Sequence, residues 1–463
     1  MSKSSDSRFD AIVIGTGQSG PALAARLAGA GRKVAIVERN RFGGTCVNNG
    51  CIPTKTLVAS AYAAHLARRS ADYGVVLQGP VGVDMKRVKA RKDEVALDAS
   101  RRVEKWMRGT ANLTVIEGHA SFASPNSIRV NDAILEAENF FVNVGARAMV
   151  PPIPGIDGVE YLTNSSIMEV DFLPPHLVIV GGSYIGLEFA QMYRRFGAQV
   201  TVIEKSAQII GREDPEVSQA IRGILGKEGV AFETGFDELS VEKRGAQVVA
   251  RVKRKDGTRE VAGSHLLLAV GRVPNTGDLG LDLAGVRADS RGYIEVDEQL
   301  RTSVPGIWAI GDCNGRGAFT HTSYNDYEIV ADNLLNADHR KVSDRITAYG
   351  LFIDPPLARV GMTDAEIRKS GRKALVGMRP MTRVGRAVEK GETQGFMRIA
   401  VDAGTKEILG AALLGVGADE AIHCILDVMY AKAPYTVLQR AVHIHPTVAE
   451  LIPTILGELA PMQ

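Results

Sequence analysis

Two stretches of this chain repeat one pattern at one spacing, and few folds accept that pattern. Phe9-Asp10-Ala11-Ile12-Val13-Ile14 is a short apolar run, followed by Gly15-Thr16-Gly17-Gln18-Ser19-Gly20 and a helical run from Pro21 to Ala30. Gly31 ends that run, and Lys33-Val34-Ala35-Ile36-Val37 leads to Glu38, 23 residues after Gly15. Leu177-Val178-Ile179-Val180 opens a second copy, with Gly181-Gly182-Ser183-Tyr184-Ile185-Gly186, a helix to Phe196, Gly197, and Val200-Thr201-Val202-Ile203 before Glu204, again at 23. A strand–turn–helix–strand unit that binds a dinucleotide needs these parts. Gly15 makes the tight turn, Gly17 lets backbone approach a pyrophosphate, Gly20 lets the helix pack closely, and the terminal acid accepts from ribose hydroxyls. A lone glycine motif can be a chance turn, but here every part is present twice. Two units imply an α/β protein with two dinucleotides. The second copy departs at Ser183, whose extra atoms restrict the pyrophosphate's approach while its hydroxyl can donate to phosphate.

Just past the first copy lies Gly43-Gly44-Thr45-Cys46-Val47-Asn48-Asn49-Gly50-Cys51-Ile52-Pro53-Thr54-Lys55, which holds two of the four cysteines. Two thiols this close can form a structural bridge, a metal site or a redox pair. A metal site needs about four ligands, and no other Cys or His lies near. Five residues along a regular helix turn two side chains about 140° apart, while a disulfide needs Cα atoms within roughly 7 Å. The segment is therefore expected to be irregular, and Asn48-Asn49-Gly50 supplies the turn chemistry. Pro53 suits a first helical turn, and Thr54 to Ala64 reads as helix. Cys51 is expected at or just before the helix N-terminus, where the dipole and Lys55 favour a thiolate.

With these residues the chain resembles the class I pyridine nucleotide-disulfide oxidoreductases, which include dihydrolipoamide dehydrogenase, glutathione reductase and mercuric reductase. Further stretches extend the likeness: Thr114 to Ala120, Phe140 to Ala146, Ala269-Val270-Gly271-Arg272-Val273-Pro274-Asn275, Pro305 to Asp312, and His443-Ile444-His445-Pro446-Thr447-Val448-Ala449-Glu450. The resemblance implies two Rossmann-like dinucleotide-binding domains, for FAD and NAD(P), plus a C-terminal α+β dimerisation domain. The expected bounds are 1–150 and 274–345 for the FAD parts, 151–273 for the NAD(P) domain, entered through the linker Pro151 to Gly155, and 346–463 for the dimerisation domain. It implies FAD contacts from Gly44, Thr45, Lys55, Ala120, Gly145, Gly271, Gly311 and Asp312, the last on the ribityl chain. Cys51 would be the flavin-side thiol and Cys46 the interchange thiol. Lys55 and Glu188 would pair beside the flavin. His445, oriented by Glu450, would be the acid-base and would reach the disulfide of a second subunit, so a homodimer is expected.

The remaining features narrow the reading. The chain has 463 residues and a formal charge of +2, which argues for about three domains and against nucleic-acid or membrane-surface partners. No apolar run approaches the roughly 20 residues of a membrane span. Met1 to Asp10 is polar, so no signal peptide is expected and a cytoplasmic location is. Asp84 to Arg108 reads as a long helix with a solvated charged face. Phe319-Thr320-His321 is expected to border the flavin ring, Cys313 and Cys424 to be bystanders, and His119 to have no chemistry. Glu204 repels a 2′-phosphate and favours NADH, while Lys205 and Arg212 keep NADPH open. No metal ligand set is expected. The tail from Leu451 to Gln463 has no cysteine, so mercury handling through a C-terminal thiol pair is not expected. The function expected is transfer of electrons from NAD(P)H through FAD and Cys46–Cys51 to a disulfide, soft metal ion or small electrophile. The alternatives are a dihydrolipoyl dehydrogenase and a non-catalytic FAD-binding redox sensor.

Overall fold

Apolar runs too short for helices, broken by glycine turns, place the two repeated units in two sheets, the first mixed and the second parallel. The computed structural model describes residues 7–462; Met1 to Asp6, on which most of the leader reading rests, lie outside them. In the first sheet β1 (Arg8–Ile14) is flanked in parallel by β2 (Val34–Glu38) and Ala133–Val142, with β3 (Leu113–Glu117) beyond β2. Ile307–Ala309 returns from far along the chain to pair with Ala133–Val142. The second sheet runs Val230–Thr234, Gln199–Glu204, His176–Val180, His265–Leu268, Tyr161–Leu162, all parallel. α1 (Gly20–Gly29) and α5 (Tyr184–Phe196) make the crossovers. The copies match bond for bond: Gly15 N donates to Val37 O at 2.7 Å, and Gly181 N to Ile203 O at 2.9 Å.

The cysteine stretch breaks as its spacing requires. α2 (Gly44–Asn48) carries Cys46, and α3 (Cys51–Arg68) begins on Cys51. α3 is thus longer than the run from Thr54 to Ala64. α4 (Met85–Gly109) starts on Asp84, whose carboxylate accepts from Arg87 N at 3.1 Å. Its charged face is not wholly solvated. Met85, Lys92, Ala96, Ser100 and Met107 form a buried stripe at helical spacing. Lys92 is accommodated there because it pairs with Asp93 and donates to Met168 O at 2.7 Å.

The C-terminal part is a six-stranded antiparallel sheet, with the buried strand Ile408–Leu414 near its centre and the helix Ala418–Tyr430 packed on it. One apolar core joins it to the rest, since Leu57, Ala61, Ile167, Leu187, Leu351 and Leu414 belong to a single cluster. A buried charge network crosses the same junction. Arg359 donates to Glu213 and to Asp214 at 2.8 Å, and Tyr349 donates to Glu213 at 2.7 Å. The Arg359 and Glu213 side chains are 3 % and 0 % exposed. Arg359→Ala strands two buried carboxylates and is expected to cost about 3–5 kcal/mol, read as earlier thermal unfolding. Arg287→Ala, whose pair with Glu295 is 73 % and 49 % exposed, should leave the melting temperature unmoved.

Candidate active site

Both glycine loops open onto one cavity of about 2020 Å³. A drug-sized ligand fills about 300–1,000 Å³, so this space has room for more than one. The loops reach it because their strands end there and because glycine is obligatory at two positions of each. Gly15 has φ +103° and Gly181 has φ +115°; a Cβ would sit 2.4 Å from Asn143 O and 2.3 Å from Ala269 O. A Cβ on Gly20 or Gly186 would strike the carbonyl of Gly15 or Gly181 at 2.3 and 1.9 Å. The middle position is freer. Gly17 and Ser183 both line the cavity, and Ser183 sits in extended backbone with an exposed side chain. Gly20, Gly186 and Gly311 do not line it. They lie behind the wall, and the Gly311 N–H is taken by Asp326 at 2.8 Å.

The two acids have a task that sequence spacing does not reveal. Glu38 accepts from Thr16 N at 2.9 Å, Thr16 Oγ1 at 2.6 Å and Asn40 N at 2.8 Å. Glu204 accepts from Gly182 N at 2.7 Å and Ser206 N at 2.9 Å. Each carboxylate staples its own glycine loop while facing the cavity.

Cys46 and Cys51 line the same cavity, half-buried and free. A hydrogen bond from Cys46 lowers the Cys51 thiol to about 6, helped by the Thr320 hydroxyl and the Lys55 charge against burial and Glu188. Cys46 is raised by that same hydrogen bond, then by burial and by the Cys51 charge. Thr320 Oγ1 lies 3.1 Å from Cys51 Sγ and opens the helix Thr320–Leu335. Two helix N-termini therefore meet at one sulfur. Thr320 read from sequence only as a neighbour of the flavin; no spacing rule links residues so far apart. Burial pushes the Cys313 thiol up to about 12 and also raises Cys424, so neither shares the pair's chemistry.

Around the thiols, Lys55 Nζ lies 3.0 and 2.9 Å from the Glu188 oxygens, and Glu188 also accepts from Phe352 N at 2.9 Å. Thr45, Ala120, Gly145, Gly271 and Asp312 line the cavity, as does Gly44, whose φ is +62°. Asp312 Oδ2 is 3.4 Å from Arg272 Nε, which is buried and has no hydrogen-bond partner. Burial raises the Asp312 carboxyl, with Arg272 opposing. One chain does not bring His445 or Glu450 to this cavity. They pair with each other, Nδ1 to Oε2 at 2.9 Å, on a surface where His445 is 79 % exposed and Val442 fully exposed. Among the described residues no group of three or more His, Cys, Asp or Glu is placed to hold a metal ion, and no helix is long and apolar enough to cross a membrane.

Comparison with known proteins decides the family. Residues 9–326 match the model described as pyridine nucleotide-disulphide oxidoreductase, and residues 347–455 match its dimerisation domain. The chain belongs to the pyridine nucleotide-disulphide oxidoreductases. It is similar to the probable oxidoreductase RclA of Escherichia coli, 36 % identical over 453 residues that cover 96 % of this chain and 97 % of the relative. A mercuric reductase of Streptomyces lividans is 34 % identical, covering 96 % and 94 %, and a dihydrolipoyl dehydrogenase of Thermus scotoductus 33 %, covering 96 % and 95 %. The solved structure of the HOCl-induced flavoprotein disulfide reductase RclA from Escherichia coli matches with a TM-score of 0.89 at 35 % identity, covering 97 % of this chain and 99 % of that one. The protein is thus an FAD-containing oxidoreductase with a dimerisation domain, which sets aside the non-catalytic sensor reading. The residues present fit FAD and a pyridine nucleotide: two stapled glycine loops, and a half-buried carboxylate beside a guanidinium nitrogen that has no hydrogen-bond partner.

In the two-electron-reduced protein, Cys51 should be thiolate above about pH 6 and become protonated as pH falls through that value. Its long-wavelength absorption against bound flavin reports this. Thr320→Val removes a donor to the thiolate and should move the midpoint up; an unmoved midpoint would show that the hydroxyl does not stabilise the charge.

Proposed function

We propose that this protein is an NADH-dependent FAD disulfide reductase that passes two electrons through Cys46 and Cys51 to a soft metal ion, a small electrophile or a disulfide. The observation that carries the reading is the split of the two thiols, one lowered and one raised, in the cavity that both glycine loops share. Bound FAD supplies the chemistry of accepting a hydride equivalent from the nicotinamide and delivering two electrons to a disulfide. The chain supplies the rest. Gly15–Gly17 and Gly181–Ser183 would seat the pyrophosphates, Glu38 and Glu204 would present acceptors to ribose hydroxyls, and Asp312 would accept from the ribityl hydroxyls. Lys55, held by Glu188, keeps positive charge beside the flavin-side thiolate. Cys51 is held toward the thiolate by the Cys46 hydrogen bond, with help from Thr320 and Lys55. Cys46, the protonated partner, is the thiol that meets the acceptor.

Soft metal ions rank first among acceptors because relatives are named mercuric reductases and one RclA structure is described as its Cu(II) complex. The Streptomyces and Thermus relatives stand at nearly equal identity, and the His445–Glu450 bond favours a second reading, a dihydrolipoyl dehydrogenase. In either case a homodimer would bring the partner's imidazole to Cys46, since a single chain leaves it exposed.

Anaerobic titration and steady-state NADH oxidation with copper(II), mercury(II), lipoamide and small disulfides test the relay. Cys46→Ser should abolish turnover with the true acceptor, and Cys51→Ser should also remove the long-wavelength absorption. Identical behaviour of the two variants would undo the assignment. Like-charge contact of Glu204 with a 2′-phosphate costs on the order of 1–3 kcal/mol, so kcat/KM for NADH should exceed that for NADPH roughly ten- to hundredfold. Equal values would point instead to Lys205 or Arg212 as phosphate ligands.

His445→Gln should keep rapid flavin reduction in stopped flow and lose reduction of a disulfide acceptor by about 10²–10⁴-fold, because thiol–disulfide exchange needs a leaving thiolate protonated. Glu450→Gln should lose less. Full turnover of His445→Gln with every active disulfide would favour an acceptor that needs no proton here, such as a metal ion.

A further inference from the structure

Asn49 lies in the turn between the two cysteines, and its side-chain Nδ2 and its backbone carbonyl each bond to a segment outside that turn, while its Oδ1 is buried without a hydrogen-bond partner. Its Nδ2 donates to Ser165 Oγ at 2.7 Å, and its backbone carbonyl accepts from Asn164 Nδ2 at 3.1 Å. Its N–H closes α2 on Thr45 O at 3.0 Å. We propose that Asn49 is a positioning residue: clamped by Asn164 and Ser165, it holds the end of α2 so that the Cys46 thiol stays directed at Cys51 whenever the pair is reduced. The proposal rests on the reading above of Cys46 as interchange thiol and Cys51 as flavin-side thiol.

The two cysteines are unequally anchored. Reduction of the pair breaks an S–S bond of about 2.05 Å and lets the sulfurs part, so the more loosely held cysteine moves. Cys51 begins an 18-residue helix and touches Thr320. Cys46 sits on a helix of five residues, joined to α3 through Asn49 and Gly50 alone. The far end of α2 is fixed by Asn48 Nδ2, which donates to Phe42 O and Gly44 O at 2.9 Å each. The near end depends on Asn49. The segment that grips it is firm: Asn164 is 8 % exposed, and Ile167 and Met168 pack in one core with Leu57 and Ala61 of α3. The buried Lys92 of α4 donates to Met168 O. The groups that face Cys51 are Cys46 from α2, Lys55 from its own helix, Glu188 from α5 and Thr320. Asn49 bonds to neither sulfur, and its bonds to Ser165 and Asn164 act on the position of α2 and so of Cys46.

The test uses the flavin-loaded dimer, reduced with one equivalent of dithionite and treated with iodoacetamide. Alkylated cysteines are identified by mass spectrometry, and the thiolate absorption is titrated in parallel. A hydrogen bond is worth about 0.5–1.5 kcal/mol, so Asn49→Val should speed Cys46 alkylation up to about tenfold and raise the Cys51 midpoint by up to about one pH unit. Ser165→Ala, which removes one exposed hydroxyl, should act in the same direction. The double variant should be no worse than Asn49→Val, because both remove one contact. Wild-type alkylation and an unmoved midpoint in both single variants would overturn the proposal. Should Asn49→Val lose flavin or melt early, Ser165→Ala decides alone. Faster alkylation of Cys51 than of Cys46 in the parent would instead overturn the underlying assignment of the thiols.

Discussion

The contact between Lys55 and Glu188 joins everything the protein needs at one point. Lys55 lies one turn into the helix that begins on Cys51, Glu188 lies one turn into the helix that follows the second glycine loop, and the Phe352 N–H on the same carboxylate comes from the C-terminal part. Glu188 is almost fully buried and Lys55 partly so, a setting in which loss of one partner strands the other. Register along either helix is thereby tied to the other. Moving α5 relative to α3 would displace the lysine charge from the thiol and the second loop from the shared cavity together.

Much of this was legible in the sequence because it rests on local rules. Gly15 and Gly20 are demanded by backbone sterics, which act over a few residues and leave a fixed spacing. Cys46 and Cys51 could not share one regular helix face, so a break was forced and Asn49-Gly50 marked its place. What sequence missed acts over long separations. Thr320 reaches Cys51 across 269 positions, and Arg359 finds Glu213 across 146; neither pairing leaves a period or a motif. Lys92 misled for a related reason. Lysine on a charged helix is normally solvated, and only the Met168 carbonyl, brought by a distant segment, makes its burial tolerable.

The same division holds at the site. The acids Glu38 and Glu204 were identifiable from spacing, but their bonds to their own loops were not, because an acceptor of ribose hydroxyls and an acceptor of backbone amides look alike in sequence. His445 shows the opposite case. Its segment carries a recognisable string, yet one chain leaves it on an exposed, partly apolar surface beside Val442 and Ile444, so the string is legible while its place in the site is not.

The staple at Glu204 bears on attempts to re-engineer cofactor choice. The obvious exchange, Glu204 for a small neutral residue, would remove the charge proposed to repel a 2′-phosphate. It would also release Gly182 N and Ser206 N, two amides now satisfied by the same carboxylate. Backbone amides freed at the end of a strand make a concave anion receptor. A single substitution would therefore do more than lift a barrier, since the loop would present, ready-made, the donors that a phosphate monoester requires.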